Sequence, residues 1–172
     1  MTALIMPHHG KSPAIHESAF IADTAVVIGD VEIGEESGIW FGCVVRGDVN
    51  VVRIGARTNI QDGVVIHVAS RGQGTYIGDD ITIGHMALLH ACTLESGCFV
   101  GMRACLMDGS YVETGGMVAA GALLTPGKRV RKGELWAGTP ARFMREVTAE
   151  ETAFFPRSAR QYVDLAASYR RP

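Results

Sequence analysis

The chain lacks any apolar run long enough to span a bilayer, so no membrane helix is expected. It has no excess of either charge: 16 Lys and Arg stand against 18 Asp and Glu, a net charge of −2. That balance leaves no basic surface for nucleic acid. The N-terminal stretch MTALIMPHHGKSP lacks a basic region followed by a long apolar one, and no secretory signal is expected. The four cysteines, Cys43, Cys92, Cys98 and Cys105, include no CxxC spacing. That absence argues against a zinc knuckle or redox motif, and the thiols read as buried and reduced in a cytoplasmic protein. Glycine is plentiful, at 21 residues, but does not follow the triplet of collagen.

What the chain does have is a period of six. Aliphatic residues recur at Ile15, Ile21, Val27, Ile33, Ile39 and Val45. A step of nine leads to Ile54, then Ile60 and Ile66; a step of eleven leads to Ile77, then Ile83 and Leu89. A step of five reaches Leu94, followed by Val100, Leu106, Val112, Val118 and Leu124. Six fits neither the turn of an α-helix nor the alternation of a half-buried strand. It fits a parallel β-helix of hexapeptides, in which three repeats make a triangular coil of about eighteen residues. No coil can bury its apolar row alone, so stacking supplies the core. The period leaves handedness open, and the competing architecture is an ordinary β-sandwich.

The long steps read as insertions, and Gly72 and Gly74 place a protruding loop in the second. The organisation expected is an N-terminal segment over 1–14, the β-helix over 15–127, a connector over 128–147 and a helix over 148–172. The period is expected to stop after Leu124, where the chain turns rich in Pro, Gly and charge. Thr148 and Glu151 have the spacing of a capping box. Ala153, Phe154, Tyr162, Leu165, Ala166 and Tyr169 suggest an apolar stripe facing the coils, with Pro156 expected to kink or split the helix.

Three histidines fall into register with the period. His67 follows Ile66, and His90 follows Leu89, each one residue after the third inward position of its coil. They should therefore be neighbours on adjacent parallel strands, about 4.8 Å apart. His85, two residues after Ile83, lies on a different face, and one triangular prism cannot bring it to the same ion. A threefold assembly can, by setting His85 of one subunit against the His67/His90 pair of another. Three imidazoles with one position left open are the ligand set of a catalytic zinc. His8, His9 and His16 have no such register and read as surface residues of a mobile N-terminus.

The run VVRGDVNVVRIGARTNIQDGVVIH (44–67), followed by IGHMALLHAC (83–92), resembles the γ-class carbonic anhydrases. The similarity covers the chain from about Ile15 to the C-terminal helix. It implies a left-handed β-helix with a C-terminal helix, and a homotrimer with zinc at its interfaces, iron or cobalt being possible substitutes. The implied ligands are His67, His85 and His90, and the implied substrates carbon dioxide and bicarbonate. Arg46, Asp48 and Asp62 are implied as interface residues paired across the trimer. Gln61 and Asn59 are implied as site residues, with Gln61 hydrogen-bonding at the metal. Taken alone, the two amides can also be read as corner residues of a turn. The chain departs from the family pattern where acidic relay residues are expected, since Val49 and Ser70 stand there; Glu95 is the nearest acid downstream. Alternatives on the same scaffold are a metal-dependent thioester hydrolase, an acyltransferase with one histidine base, and a non-enzymatic trimeric scaffold.

Overall fold

The computed structural model describes residues 2–169; Met1 and residues 170–172, at the ends of the expected N-terminal segment and C-terminal helix, lie outside the described residues. Short parallel strands wind into a solenoid of about 7 turns with one C-terminal helix. Three faces recur. The first carries Val65–His67, Leu88–His90, Cys105–Leu106 and Leu123–Leu124. The second carries Gly38–Ile39, Asn59–Ile60, Thr82–Ile83, Phe99–Val100 and Met117–Val118. The third carries Thr75–Ile77, Thr93–Leu94 and Tyr111–Val112. The longer strands Val26–Ile33 and Val44–Ile54 run from the first face onto the third.

The period of six becomes the core because each of its aliphatics points inward and meets its counterpart one coil away. On the second face the pairing runs Ile21, Ile39, Ile60, Ile83, Val100, Val118 in unbroken register. From Val27 to Leu124 every periodic position is at most 4% exposed. Burying such a side chain stabilises the fold by about 1.5–3 kcal/mol, so the repeated column offsets the cost of ordering many short strands. The glycine that often follows lets the coils approach: a Cβ on Gly84 would lie 2.5 Å from the backbone nitrogen of Met102. The four thiols are unpaired. Burial pushes Cys43 and Cys92 up to about 12 and raises Cys98 further, so these three do not ionise near neutrality.

Several elements differ from the sequence expectation. Leu4–Met6 pairs in parallel with Val26–Ile28, so the N-terminal segment joins the stack instead of hanging free. The period also continues past Leu124: Val130 is fully buried, and Trp136 pairs with Val118. Charged neighbours and corner residues hid this extra turn in the sequence. Glu134–Gly138 then folds back antiparallel on Ala141–Glu146.

The helix α1 (Ala149–Tyr169) begins with the expected box: Thr148 N–H donates to Glu151 (2.8 Å), and Glu151 N–H to Thr148 Oγ1 (3.2 Å). It runs unsplit through Pro156, because packing clamps it just before and just after that residue. Phe155 stacks on Phe99 (5.0 Å between centroids), and Ser158 bonds Thr82 (2.9 Å). The buried residues of α1 are Phe155, Ser158, Ala159 and Ala166. Of the expected stripe only Ala166 is buried; Tyr162 is half-buried, while Ala153, Phe154 and Leu165 are exposed in the protomer. Tyr169 lays its ring against Phe20, Trp40 and Phe41.

Candidate metal centre

His67 and His90 are register partners on the first face. Their rings turn towards each other, with Nδ1 of His67 3.2 Å from Nε2 of His90. Each outer nitrogen meets a carboxylate: His67 Nε2 lies 2.9 Å from Asp48 Oδ1, and His90 Nδ1 lies 2.6 Å from Asp108 Oδ1. His85 follows the same rule, with Nδ1 2.9 Å from Asp62 Oδ2. Carboxylates on the outer nitrogens fix the ring orientation and raise the basicity of the inner ones, as in metal-binding histidines generally.

This donor set fits a divalent metal. Two nitrogens bound about 2.0–2.1 Å from a tetrahedral zinc stand about 3.3 Å apart. The His67–His90 separation of 3.2 Å matches that spacing. Among the described residues, no three His, Cys, Asp or Glu side chains of one protomer are grouped to hold a metal. The pair is therefore two ligands short of a tetrahedral shell within its own chain.

The backbone is left-handed directly after two of these histidines, at Met86 (φ 60°) and Ala91 (φ 47°), where no glycine relieves the conformation. Unusual backbone of this kind persists where the surrounding fold enforces it. Here the coil pairing does so, aiming His85 and His90 outward at two corners.

Arg46 pairs with Asp48 within the chain, and Asp48 with His67. Burial works to raise the Asp48 carboxyl, but hydrogen bonds from His67 and Arg46 outweigh it and hold the group at about 2. Asp62 pairs with His85. Arg46, Asp48 and Asp62, expected as partners across an assembly, are thus already engaged beside the histidines of their own protomer.

Asn59 and Gln61 are 2% and 4% exposed. Asn59 lies in a strand of the second face and Gln61 opens the turn after it, whose Val64 N–H donates to the Gln61 carbonyl (3.2 Å); both side chains are covered. Gln61 accepts from the backbone N–H of His85 (3.2 Å) and donates to Asn59 Oδ1 (3.1 Å). Asn59 in turn donates to Thr82 Oγ1 (2.9 Å), which meets Ser158 of α1. A continuous buried chain of polar groups therefore joins the His85 backbone to the helix. Burial raises the Tyr162 phenol, with the charge of nearby Asp62 adding to the effect. Val49 is exposed. Glu95 is tied to the Tyr111 hydroxyl (2.5 Å) and to Thr114, which hold its carboxyl below the ordinary range.

Sequence reasoning missed Asp108, Thr82, Ser158 and Tyr162. Only Asp108 left a signal, being one coil-length, 18 residues, after His90.

A coil stack with aliphatics at every sixth position and paired histidines on one face defines a hexapeptide-repeat β-helix protein. No protein-family model matches the chain. It is 52% identical over 164 residues to Gamma carbonic anhydrase 1, mitochondrial, of Arabidopsis thaliana, covering 92% of this chain and 60% of that protein. It is 39% identical over 167 residues to the carbonic anhydrase of Geobacillus kaustophilus, covering 97% of this chain and 91% of the relative. The crystal structure of a hexapeptide transferase family protein from Anaplasma phagocytophilum superposes with a TM-score of 0.93 at 48% identity, covering 96% of this chain and 98% of that one. The chain belongs to the γ-class carbonic anhydrase family, and its coil is the left-handed parallel β-helix. It spans about 60% of the length of the plant relatives it matches.

Proposed function

We propose that the protein catalyses the reversible hydration of carbon dioxide to bicarbonate at sites shared between the subunits of a homotrimer. His67 and His90 of one protomer, with His85 of the partner subunit, would hold zinc; iron and cobalt suit the same donors. The observation that carries this reading is the 3.2 Å approach of His67 Nδ1 and His90 Nε2, each ring anchored from behind by a carboxylate. Zinc held by three imidazoles keeps one position open and supplies activated water at neutral pH.

The chain's own residues do the rest. Asp48, Asp62 and Asp108 meet the outer ring nitrogens, which orients the imidazoles and turns their inner nitrogens towards the metal. Gln61, with its oxygen held by the His85 N–H, is left to offer an N–H to a substrate oxygen. Arg46, Asp48 and Asp62 stand at the subunit boundary. The four unpaired thiols suit a reducing compartment, the cytoplasm in this reading. Among the described residues no helix is long and apolar enough to cross a membrane.

Elemental analysis of the purified protein, light scattering and stopped-flow hydration test the proposal together. A trimer carrying about one metal per protomer and hydrating carbon dioxide above buffer is expected. A metal-free native protein or a stable monomer overturns the shared site. A metal-loaded trimer without hydration overturns the substrate and leaves the ligand set standing.

A further inference from the structure

Beneath α1, on the second face, lies a cavity of about 420 Å³. That volume is within the range of about 300–1,000 Å³ typical of small-molecule sites. Three-atom carbon dioxide leaves most of it empty. Phe99, Met102, Met117, Phe154 and Tyr162 supply most of the wall, and Gln61 lies in it too. None of the lining residues is Asp, Glu, Lys, Arg or His. A charged ligand entering here would lose its hydration without gaining a counter-charge, which excludes phosphates, carboxylates and amines as the buried part.

The polar chain described above sets what the wall offers. The His85 backbone N–H can only donate, so the Gln61 atom facing it at 3.2 Å is the oxygen. The Gln61 nitrogen then has two N–H groups. One donates to Asn59 Oδ1 at 3.1 Å. Asn59 is itself locked, because its nitrogen donates to the Ile81 carbonyl (3.3 Å) and to Thr82 Oγ1 (2.9 Å). Neither amide can flip without setting donor against donor. Among the described residues, the second Gln61 N–H has no acceptor within the chain. It is a buried donor, and buried donors are normally satisfied.

We propose that this cavity binds a neutral, mainly apolar organic molecule through one carbonyl-type oxygen, with the second Gln61 N–H as its donor. The aromatic and methionine wall takes the hydrocarbon part. Ser158 and Thr82 are positioning residues: they hold Asn59, which holds Gln61. The proposal needs no metal, but it draws on the same Gln61 N–H that the carbon dioxide reading offers to a substrate oxygen, so the two ligands compete for it and the test uses metal-free protein in its native assembly.

The probe is acetophenone labelled with ¹³C at the carbonyl, followed by NMR and calorimetry. Saturable binding is expected, with the carbonyl resonance moved downfield by the hydrogen bond. Ethylbenzene, of nearly the same shape but without the oxygen, should bind on the order of tenfold more weakly. Ala120→Trp, at the exposed rim, should fill the cavity and lower acetophenone affinity at least tenfold while leaving thermal stability unchanged. Gln61→Leu should bring acetophenone down to the level of ethylbenzene. No saturable binding by the assembled protein overturns the proposal. Equal affinity for the two probes, or undiminished binding by Ala120→Trp, overturns it as well.

Discussion

From Leu94 to Leu124 the chain steps by six without interruption, whereas between Val45 and Leu94 it steps by nine, eleven and five. The two regions share one core, one column of pairing and the same helix cover. They differ in what their corners carry. Arg46 and Asp48 fall in the step of nine, His67 in the step of eleven and His90 in the step of five. His85 falls in a regular step of six, between Ile83 and Leu89, so an ordinary corner presents one ligand, while His67 and His90 stand where the step changes. Asp108 links the two regions: it belongs to the regular coils, yet it anchors His90.

The comparison can be broken hardest at His90. His90→Ala should abolish stoichiometric metal binding and carbon dioxide hydration while leaving far-UV circular dichroism unchanged, because the histidine contributes little to the core. Full metal content in that variant, measured by elemental analysis, would sink the ligand assignment. The converse change is Leu106→Ala in the regular coils. Leu106 is fully buried, so the variant should lose about 2–5 kcal/mol in denaturant unfolding. Metal stoichiometry should survive in the fraction that folds.

A smaller effect tests the link between the regions. Asp108→Asn removes the carboxylate behind His90 without removing the ligand, and metal affinity should fall about 10–100-fold in competition with a chelator. An unchanged affinity would mean that the regular coils only support the fold. Smallest is the acid response of the helix that covers both regions. Hydrogen bonds from Arg145 and then the Thr148 N–H hold the Glu151 carboxyl at about 2, against an ordinary value of 4.5. Because the folded value is the lower one, the pairing stabilises the fold above about pH 4.5 and is lost as the pH falls towards 2. Solvent screening limits the effect to about 1 kcal/mol. Glu151→Gln should flatten stability against pH in that window, read by thermal unfolding; an undiminished slope would place the acid sensitivity elsewhere.

Much of the fold was legible because a step of six is visible without any structure. The same arithmetic paired His67 with His90, which the strand register reproduces. Legibility failed where the signal was not periodic in apolarity. Val130 continues the period, but arginine and lysine flank it and made the segment read as a connector. Leu4–Met6 is exposed on every residue, so its parallel pairing left no burial pattern to detect. Asn59 and Gln61 could also be read as turn residues because nothing nearby in the chain hides them.

The sequence by itself determined the coil, the register and the faces on which the histidines stand, because inward aliphatics recurring mostly every six residues must align coil upon coil; the period left the hand of the coil open. The tertiary structure alone decided which polar groups are buried together. Thr82 is covered by Ser158, 76 positions away, and Asn59 and Gln61 take their orientation through it. A contact between a strand and a helix so distant in the chain depends on how the completed solenoid receives α1, and no local period encodes that.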